Sequence, residues 1–368
     1  MKRPAICLIL LLCVQSLAAQ EEKWDVITTG EKKWELLMQD LEAARKSICL
    51  EYYCFAPDAS GRLIGDILMN KAQEGIPVRL ILENVVGGLT PKYYYDRMAA
   101  SGVQIRYFTD PDNWPAELNF RDHRKIVVID ESIGYVGGMN LADLYHHDWR
   151  DTHLRFAGPA VADLEQVFNA TWTELSGCKP APLARKAPES PIEIVAGSPF
   201  YPVFVKRYIQ ALEEARDYLY LQTPYLCPPD TLVGAMKAAA RRGIDVRILV
   251  PKKTDHPSLT AANRSFFGEL IRSGVRVYES LPRFNHSKVL VADDLHFWVG
   301  SVNLDNRSLF LNYEVCAFIT DRETAAAQRE AFFGLLQESH EVTREEVEAW
   351  SPGQRFIYSV PLLIKRQL

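Results

Sequence analysis

His123-Arg124-Lys125-Ile126-Val127-Val128-Ile129-Asp130, with Gly137-Gly138-Met139-Asn140 after six more residues, is answered by His286-Ser287-Lys288-Val289-Leu290-Val291-Ala292-Asp293, with Gly300-Ser301-Val302-Asn303 after six more. Every position of the first stretch matches one in the second at the same offset, the one that separates His123 from His286. Residues i and i+2 of a strand share a face, so each copy sets an imidazole beside an ammonium. The residues between Lys and Asp are apolar. The polar pair therefore emerges at the end of buried structure, a costly position for groups without a partner or a task. One His two residues before a Lys is ordinarily a solvated strand edge, whereas two copies in register point to a shared chemistry.

The likeness extends outward. Gly75-Ile76-Pro77-Val78-Arg79-Leu80-Ile81-Leu82 is answered by Gly243-Ile244-Asp245-Val246-Arg247-Ile248-Leu249-Val250, and Ser101-Gly102-Val103-Gln104-Ile105 by Ser273-Gly274-Val275-Arg276-Val277. Each reads as a helix end, a glycine stop and a buried strand, so the order β-α-β-α-β occurs twice. Pro180, Pro182, Pro188 and Pro191 mark a stretch with little apolar periodicity, read as a linker over 177–191. The expected organisation is a first domain over 25–176, a second over 192–345 and a C-terminal tail over 346–368. The fold class is α/β, with helices on both faces of a sheet in each half. The simplest arrangement relates the halves by a pseudo-twofold axis, with the site at their interface.

A second regularity supplies partners for the imidazoles. Asp151 follows His123 at the same spacing at which Glu314 follows His286. A carboxylate that accepts from one ring nitrogen fixes the tautomer and leaves the other nitrogen free to attack or to donate. Two such imidazoles divide the labour of nucleophile and general acid. Lys125 and Lys288, with Asn140 and Asn303 as donors, suit the non-bridging oxygens of a phosphodiester. The constellation predicts phosphoryl transfer through a phosphohistidine in two steps, to water or an alcohol, with no metal and no cofactor. Glu51 and Gln222 end the first strand of each copy and are expected to line the cleft from below. Tyr93-Tyr94-Tyr95 is expected on a helix, divided between surface and core, and His146 and His147 at the surface.

The chain has 368 residues, 24% charged and 48% hydrophobic, a globular composition that excludes fibre, coiled coil and disordered tail. Its 42 Lys and Arg against 47 Asp and Glu give a net charge of −5, which disfavours nucleic acid as a partner. Lys2 and Arg3 precede an apolar run from Ala5 to Val14 and then Ser16-Leu17-Ala18, the pattern of an export signal over 1–18 cleaved after Ala18. An uncleaved anchor and, through Cys13, a lipoprotein are the other readings. The run is short for a membrane span. Cys49, Cys54, Cys178, Cys227 and Cys316 are too scattered for a disulfide framework, and Cys49 and Cys316 read as buried apolar residues. Acceptor sequons occur at Asn169, Asn263, Asn285 and Asn306. A glycan on Asn285 would crowd His286, so a bacterial envelope fits better than a glycosylating secretory route.

With both motifs in place, the sequence resembles the phospholipase D superfamily, whose HxKxxxxD pattern followed by G-G/S-x-N occurs here twice. More narrowly it resembles bacterial cardiolipin synthases of the phospholipase D type. The stretches that carry this are Gly137 to Tyr145, Trp149-Arg150-Asp151-Thr152-His153, Gly158-Pro159-Ala160-Val161, Gly300 to Ser308 running on to Asn312-Tyr313-Glu314, and the tail around Trp350 and Ser359-Val360-Pro361. The resemblance implies tandem phospholipase D-like domains and a transphosphatidylation that turns two phosphatidylglycerol molecules into cardiolipin and glycerol. It implies His123 as nucleophile and His286 as general acid, and groups Lys125, Asp130, Lys288 and Asp293 with them, the two aspartates as supports. A hydrolase that yields phosphatidic acid, or a nuclease, is the alternative. The subfamily often begins with two transmembrane helices, for which this chain has only the signal-like segment. Membrane contact is then expected from Pro111-Asp112-Asn113-Trp114-Pro115 or from the tail, where Phe356, Ile357, Tyr358, Lys365 and Arg366 mix apolar and cationic groups. A phospholipid membrane is the expected partner; no protein partner is evident.

Overall fold

A computed structural model describes residues 22–83, 92–108, 119–175 and 190–368. The signal-like start, the 111–115 loop, Cys178 and most of the expected linker lie outside the described residues. The first half contributes β1 (Lys23–Ile27), β2 (Ile48–Tyr52), β3 (Val78–Leu82), β4 (Gln104–Tyr107), β5 (Arg121–Asp122), β6 (Lys125–Ile129), β7 (Ile133–Gly137) and β8 (His153–Ala157). All but β5 form one sheet in the order β1-β8-β7-β6-β2-β3-β4. β2, β3 and β4 run parallel, because each is reached by a helix crossover, Ala59–Gln73 and then Lys92–Ala100. Gly75 ends the first of these helices at φ +87°, and its counterpart Gly243 stands at +92°, the left-handed stop read from the sequence.

The second half contributes β9 (Ile192–Gly197), β10 (Tyr218–Gln222), β11 (Leu226–Cys227), β12 (Asp245–Pro251), β13 (Arg276–Ser280), β14 (Val289–Ala292), β15 (His296–Gly300), β16 (Leu304–Asp305), β17 (Asn312–Thr320) and β18 (Ser339–Val342). Its main sheet reads β18-β13-β12-β10-β14-β15-β17, with β9 antiparallel on β17. Apart from β18, this is the strand order of the first sheet. One strand crosses over: β5, from the first half, pairs in parallel with β17 of the second.

Alternation along each strand builds two kinds of core. In β6, Val127 and Ile129 face the helices of their own half, joining Trp34, Leu37 and Leu41 of helix Gly30–Ala43. Ile126 and Val128 face the other way and join Val289, Val291 and Phe297 of the second half. The two sheets thus share an apolar interface, completed by Phe168 of helix Ala160–Glu174 and Phe332 of helix Arg322–Gln337. Strands covered on both faces read as unbroken apolar runs, as β6 and β14 do. Each such Val or Ile contributes about 1.5–3 kcal/mol by leaving water, so the halves are held together by their cores rather than by a linker. Cys49 and Cys316 are buried free thiols in these strands. Tyr94 and Tyr95 are buried while Tyr93 is exposed; His146 is half-buried and stacks on Trp34, whereas His147 is exposed.

Asp130 and Asp293, which the motif groups with the histidines and lysines, stand away from the site as supports of the fold. Both stand beyond the far ends of β6 and β14. Asp130 and Glu131 have φ of 53° and 59°, and Asp293 and Asp294 have 53° and 49°, so each pair forms the centre of a type I′ hairpin turn. The Asp130 carboxylate accepts backbone N–H groups of Arg45, Lys46 and Ser47 at 2.6–3.1 Å. Asp293 accepts those of Arg216, Asp217 and Tyr218 at 2.9–3.0 Å. The spacing from Lys to Asp is therefore the length of a strand plus its turn, and the aspartate ties that hairpin to the chain entering β2 or β10.

Candidate active site

The two histidines meet because the backbone segments that carry them cross between halves. His123 follows β5, and its N–H donates to the Tyr313 carbonyl at 2.9 Å. His286 N–H donates to the Arg150 carbonyl at 2.7 Å, and Arg150 N–H to Phe284 O at 2.9 Å. Each histidine segment is thereby bonded to the segment that leads into the other half's carboxylate. His123 Nδ1 lies 3.0 Å from both oxygens of Glu314, and His286 Nδ1 lies 2.7 Å from Asp151 Oδ2. The carboxylates that the repeated spacing singled out thus serve the opposite histidines.

Each carboxylate is fixed in turn. Glu314 accepts from the Ser301 hydroxyl and from Asn312 Nδ2 at 3.2 Å. Asp151 accepts the N–H of Thr152 at 2.7 Å. A Cβ on Gly138 would stand 2.2 Å from Asp151 Oδ1, so glycine is required where the second copy has the hydroxyl-bearing Ser301. This explains why the motif's second small residue is Gly in one copy and Ser in the other.

Burial sets the charges. It lowers the His123 pKa to about 4 against the pull of Glu314, and lowers that of His286 well below the ordinary value, with Lys288 and Lys125 acting the same way. Both imidazoles are therefore neutral at neutral pH. Burial lowers Lys125 to about 8 and Lys288 to about 7, and raises Asp151 to about 6. Burial also presses Glu314 upward, but His123, Lys125 and the Ser301 hydroxyl outweigh it and leave its pKa lowered. Lys125 Nζ donates to His123 O at 2.5 Å, and Lys288 Nζ to His286 O at 2.5 Å while lying 2.8 and 3.0 Å from the ring nitrogens. The Lys288 ammonium thus lies directly beside the His286 ring, and the Lys125 ammonium on the His123 carbonyl.

His123 and His286 open into one cavity of about 330 Å³, together with Asn303. Lys125, Lys288, Asp151 and Glu314 stand behind the histidines rather than on its lining, and Asn140, Glu51 and Gln222 also lie off it. Asn140 donates to the Tyr145 hydroxyl at 2.7 Å and accepts from Cys54 N at 3.1 Å, so it supports the wall. Glu51 bonds Arg124 at 3.2 Å in the interface, and Gln222 accepts from Asn285 at 3.0 Å. These two were expected to line the cleft; they instead satisfy the residues flanking the histidines, because Arg124 and Asn285 are buried polar groups that need partners.

The cavity's walls differ. Around His286 stand Tyr145, Trp149, Phe284 and Tyr225, with ring centroids 5.3–6.4 Å away. On the other side stand Arg121, Arg307, Ser308 and Asn312. Arg121, Tyr225 and Phe284 lie outside the stretches that carry the resemblance. Carrying the offset between the two copies into the motif flanks pairs Trp149 with Asn312 and Phe284 with Arg121, which was the signal available. Among the described residues no group of three or more His, Cys, Asp or Glu is placed to hold a metal ion.

Comparisons with known proteins give the family and the fold. The family described as "Cardiolipin synthase, PLD-like domain" matches residues 37–172 and 208–336. The chain is 33% identical to a cardiolipin synthase of Oceanobacillus iheyensis over 95% of this chain and 76% of that protein. It is 36% identical to cardiolipin synthase 2 of Bacillus anthracis over 86% of this chain, and spans 65% of that protein's length. In structure it is similar to phosphatidylserine synthase of Haemophilus influenzae, with a TM-score of 0.72 at 14% identity over 94% of this chain and 95% of that one, a likeness of fold. The chain belongs to the cardiolipin synthase family with phospholipase D-like domains.

Proposed function

We propose that the protein is a cardiolipin synthase-like phosphatidyltransferase that moves a phosphatidyl group between phosphatidylglycerol molecules through a phosphohistidine. The observation that carries this reading is the pair of crossed His–carboxylate contacts opening into one cavity. Glu314 holds the His123 Nδ1–H, which leaves the Nε2 lone pair facing the cavity as nucleophile. In the first step Nε2 of His123 forms a bond to phosphorus, the bond from phosphorus to the glycerol oxygen breaks, and His286 gives that oxygen a proton. His286 takes up that proton from solvent as the substrate binds, because the phosphodiester's negative charge opposes the burial that otherwise keeps the imidazole neutral. In the second step His286 takes the proton from a hydroxyl of the acceptor phosphatidylglycerol, that oxygen bonds to phosphorus, and the phosphorus–nitrogen bond breaks. Lys125, Lys288 and Asn303 stabilise the charge on the non-bridging oxygens.

Attachment to a membrane follows from the tail in this reading. Helix Pro352–Ser359 and the turn Val360–Gln367 pack on helix Pro257–Ile271 through Trp350 and Leu368, yet leave Phe356, Ile357, Leu363 and Ile364 exposed beside Arg355, Lys365 and Arg366. Gln367 and Leu368 also line the cavity. An apolar strip beside Arg355 and Arg366, with Lys365 paired to Asp230 at 2.7 Å, suits an anionic bilayer surface at the mouth of a lipid site. Among the described residues no helix is long and apolar enough to cross a membrane. The setting proposed is the bacterial envelope, with export directed by the N-terminal segment. The experiment that tests the function is product analysis on phosphatidylglycerol vesicles, with cardiolipin and free glycerol as the expected products.

A further inference from the structure

Buried polar atoms without hydrogen-bond partners concentrate at one wall of the cavity. Asn303 Oδ1, Ser308 Oγ, Asn312 Oδ1 and Arg121 Nη1 are all buried and unpartnered among the described residues, and all four residues line the space that His123 and His286 share. A folded protein rarely leaves so many orphans together, since a buried donor or acceptor without a partner is destabilising unless a ligand or water satisfies it. Arg307 stands on the same wall, and the two guanidinium groups repel, as the lowering of the Arg307 pKa by burial and by Arg121 records. Neither arginine has a carboxylate within ion-pair distance among the described residues. Arg307 is bonded to the Asn119 carbonyl, the Asn119 side chain and the Gln367 carbonyl. Asp305, the acid that acts on it, is engaged in accepting the Ser308 N–H at 2.7 Å.

The first half has no equivalent wall. At the matching positions of the first copy, Leu144, Tyr145 and Trp149 replace Arg307, Ser308 and Asn312, and in the second copy Phe284 stands at the position that matches Arg121. The site is therefore symmetric in its reacting groups and asymmetric in what surrounds them. One side carries the two arginines and the hydrogen-bonding groups, with Asp305 among them; the other carries Tyr145 and Tyr225, with Asp255 bonded to the Tyr225 hydroxyl and Trp149 and Phe284 packed on His286.

We propose that the wall formed by Arg121, Arg307, Asn303, Ser308 and Asn312 is a second anion subsite, which holds the phosphate of the acceptor glycerophospholipid while its glycerol hydroxyl faces the phosphohistidine. This rests on the transferase reading above and deepens it. Two chemically identical lipids must occupy unequal positions: the donor's phosphate lies between the histidines, and the acceptor's lies one glycerol unit away. The orphaned amide oxygens and the Ser308 hydroxyl suit the glycerol's hydroxyl groups, and the unpaired guanidinium groups suit the phosphate. Free glycerol, released or re-entering, needs the hydroxyl contacts but not the arginines. A phosphorylated glycerol in solution shares the acceptor's chemistry, so the test separates lipid from soluble sources.

The test compares full-length wild type, Arg121→Gln and Arg121→Lys on phosphatidylglycerol vesicles containing isotope-labelled glycerol. Cardiolipin formation reads transfer to a phosphate-bearing acceptor, and label entering phosphatidylglycerol reads transfer to glycerol itself. We expect Arg121→Gln to lower cardiolipin formation at least tenfold more than it lowers glycerol exchange, and Arg121→Lys to recover most of that difference. A parallel loss of both reactions would make Arg121 a general support and overturn the subsite, as would no loss in either. Labelled sn-glycerol 3-phosphate offered with the same vesicles should be a much poorer acceptor than the lipid; if it outcompetes the lipid, the assignment to a lipid phosphate is overturned. Wild-type protein that gives only phosphatidic acid would remove the transferase reading, and the acceptor subsite with it, before any variant is compared.

Discussion

Glu314→Gln tests the crossing of the two halves. Glu314 stands in the second half, on the same chain segment side as His286, but its oxygens lie 3.0 Å from Nδ1 of His123. Glutamine keeps the shape and removes the charge. When phosphorus bonds to Nε2, the imidazole becomes cationic, and the carboxylate stabilises that charge in a buried site. A hydrogen bond to a charged group contributes roughly 1.5–3 kcal/mol net, and the Coulomb attraction at about 3 Å with an effective dielectric near 20 is about 5 kcal/mol. The rate of forming the phosphatidyl-enzyme should therefore fall by roughly 10- to 5000-fold. The assay is a rapid-quench burst with a phosphatidylglycerol analogue, repeated with a p-nitrophenyl leaving group that needs no protonation. Glu314→Gln should remain slow with both substrates, like His123→Ala. Asp151→Asn, which acts on His286, should be slow with the first and largely rescued by the second. Rescue of Glu314→Gln but not of Asp151→Asn would refute the assignment of His123 as nucleophile, and equal behaviour of the two variants would refute the division of labour.

The pH dependence has a defined sign. With a soluble short-chain substrate, kcat/KM should fall below about pH 6 as Asp151 gains a proton, and fall above pH 7 to 8 as Lys288 and Lys125 lose theirs. His123 stays neutral across that range, and Asp151→Asn should abolish the acid limb, which a kcat/KM profile from pH 5 to 9 checks. Gly138→Ala should displace the Asp151 carboxylate, because its Cβ would lie 2.2 Å from Oδ1; activity should drop about as far as in Asp151→Asn, with the p-nitrophenyl substrate again giving rescue. Phe356→Asp combined with Leu363→Asp should weaken binding to anionic vesicles by roughly 100- to 10,000-fold, since each exposed apolar side chain gains about 1.5–3 kcal/mol on leaving water and the pair together about 3–6 kcal/mol. Turnover of a soluble substrate should change far less, and vesicle co-sedimentation with parallel kinetics reads both.

Much of the fold was legible because the strands are short apolar runs bounded by glycine, and Gly75 and Gly243 stand where a helix can end only in a left-handed conformation. His123, His286, Asp151 and Glu314 were legible as types at a repeated spacing. Their pairing was not, because equal spacing in two copies says nothing of which copy supplies the partner. That choice is made by β5 lying on β17 and by Arg150 lying beside Asn285, contacts between distant segments. Asp130 and Asp293 share the motif with the histidines, and only the backbone dihedrals and three N–H donors on each reveal a turn. Glu51 read as a cleft residue because it ends a strand, yet Arg124 lies on the interface side of β6 and claims it. The unequal walls follow from comparing Leu144, Tyr145 and Trp149 with Arg307, Ser308 and Asn312, a comparison that matters only once the histidines share one cavity.

The measurement that bears most directly on the central claim is incubation of the full-length protein with phosphatidylglycerol vesicles in excess EDTA, with lipid and water-soluble products resolved by mass. Cardiolipin with an equal amount of free glycerol is the predicted result, and both should vanish in His123→Ala and in His286→Ala. Phosphatidic acid as the sole lipid product would contradict it, for water would then be the acceptor.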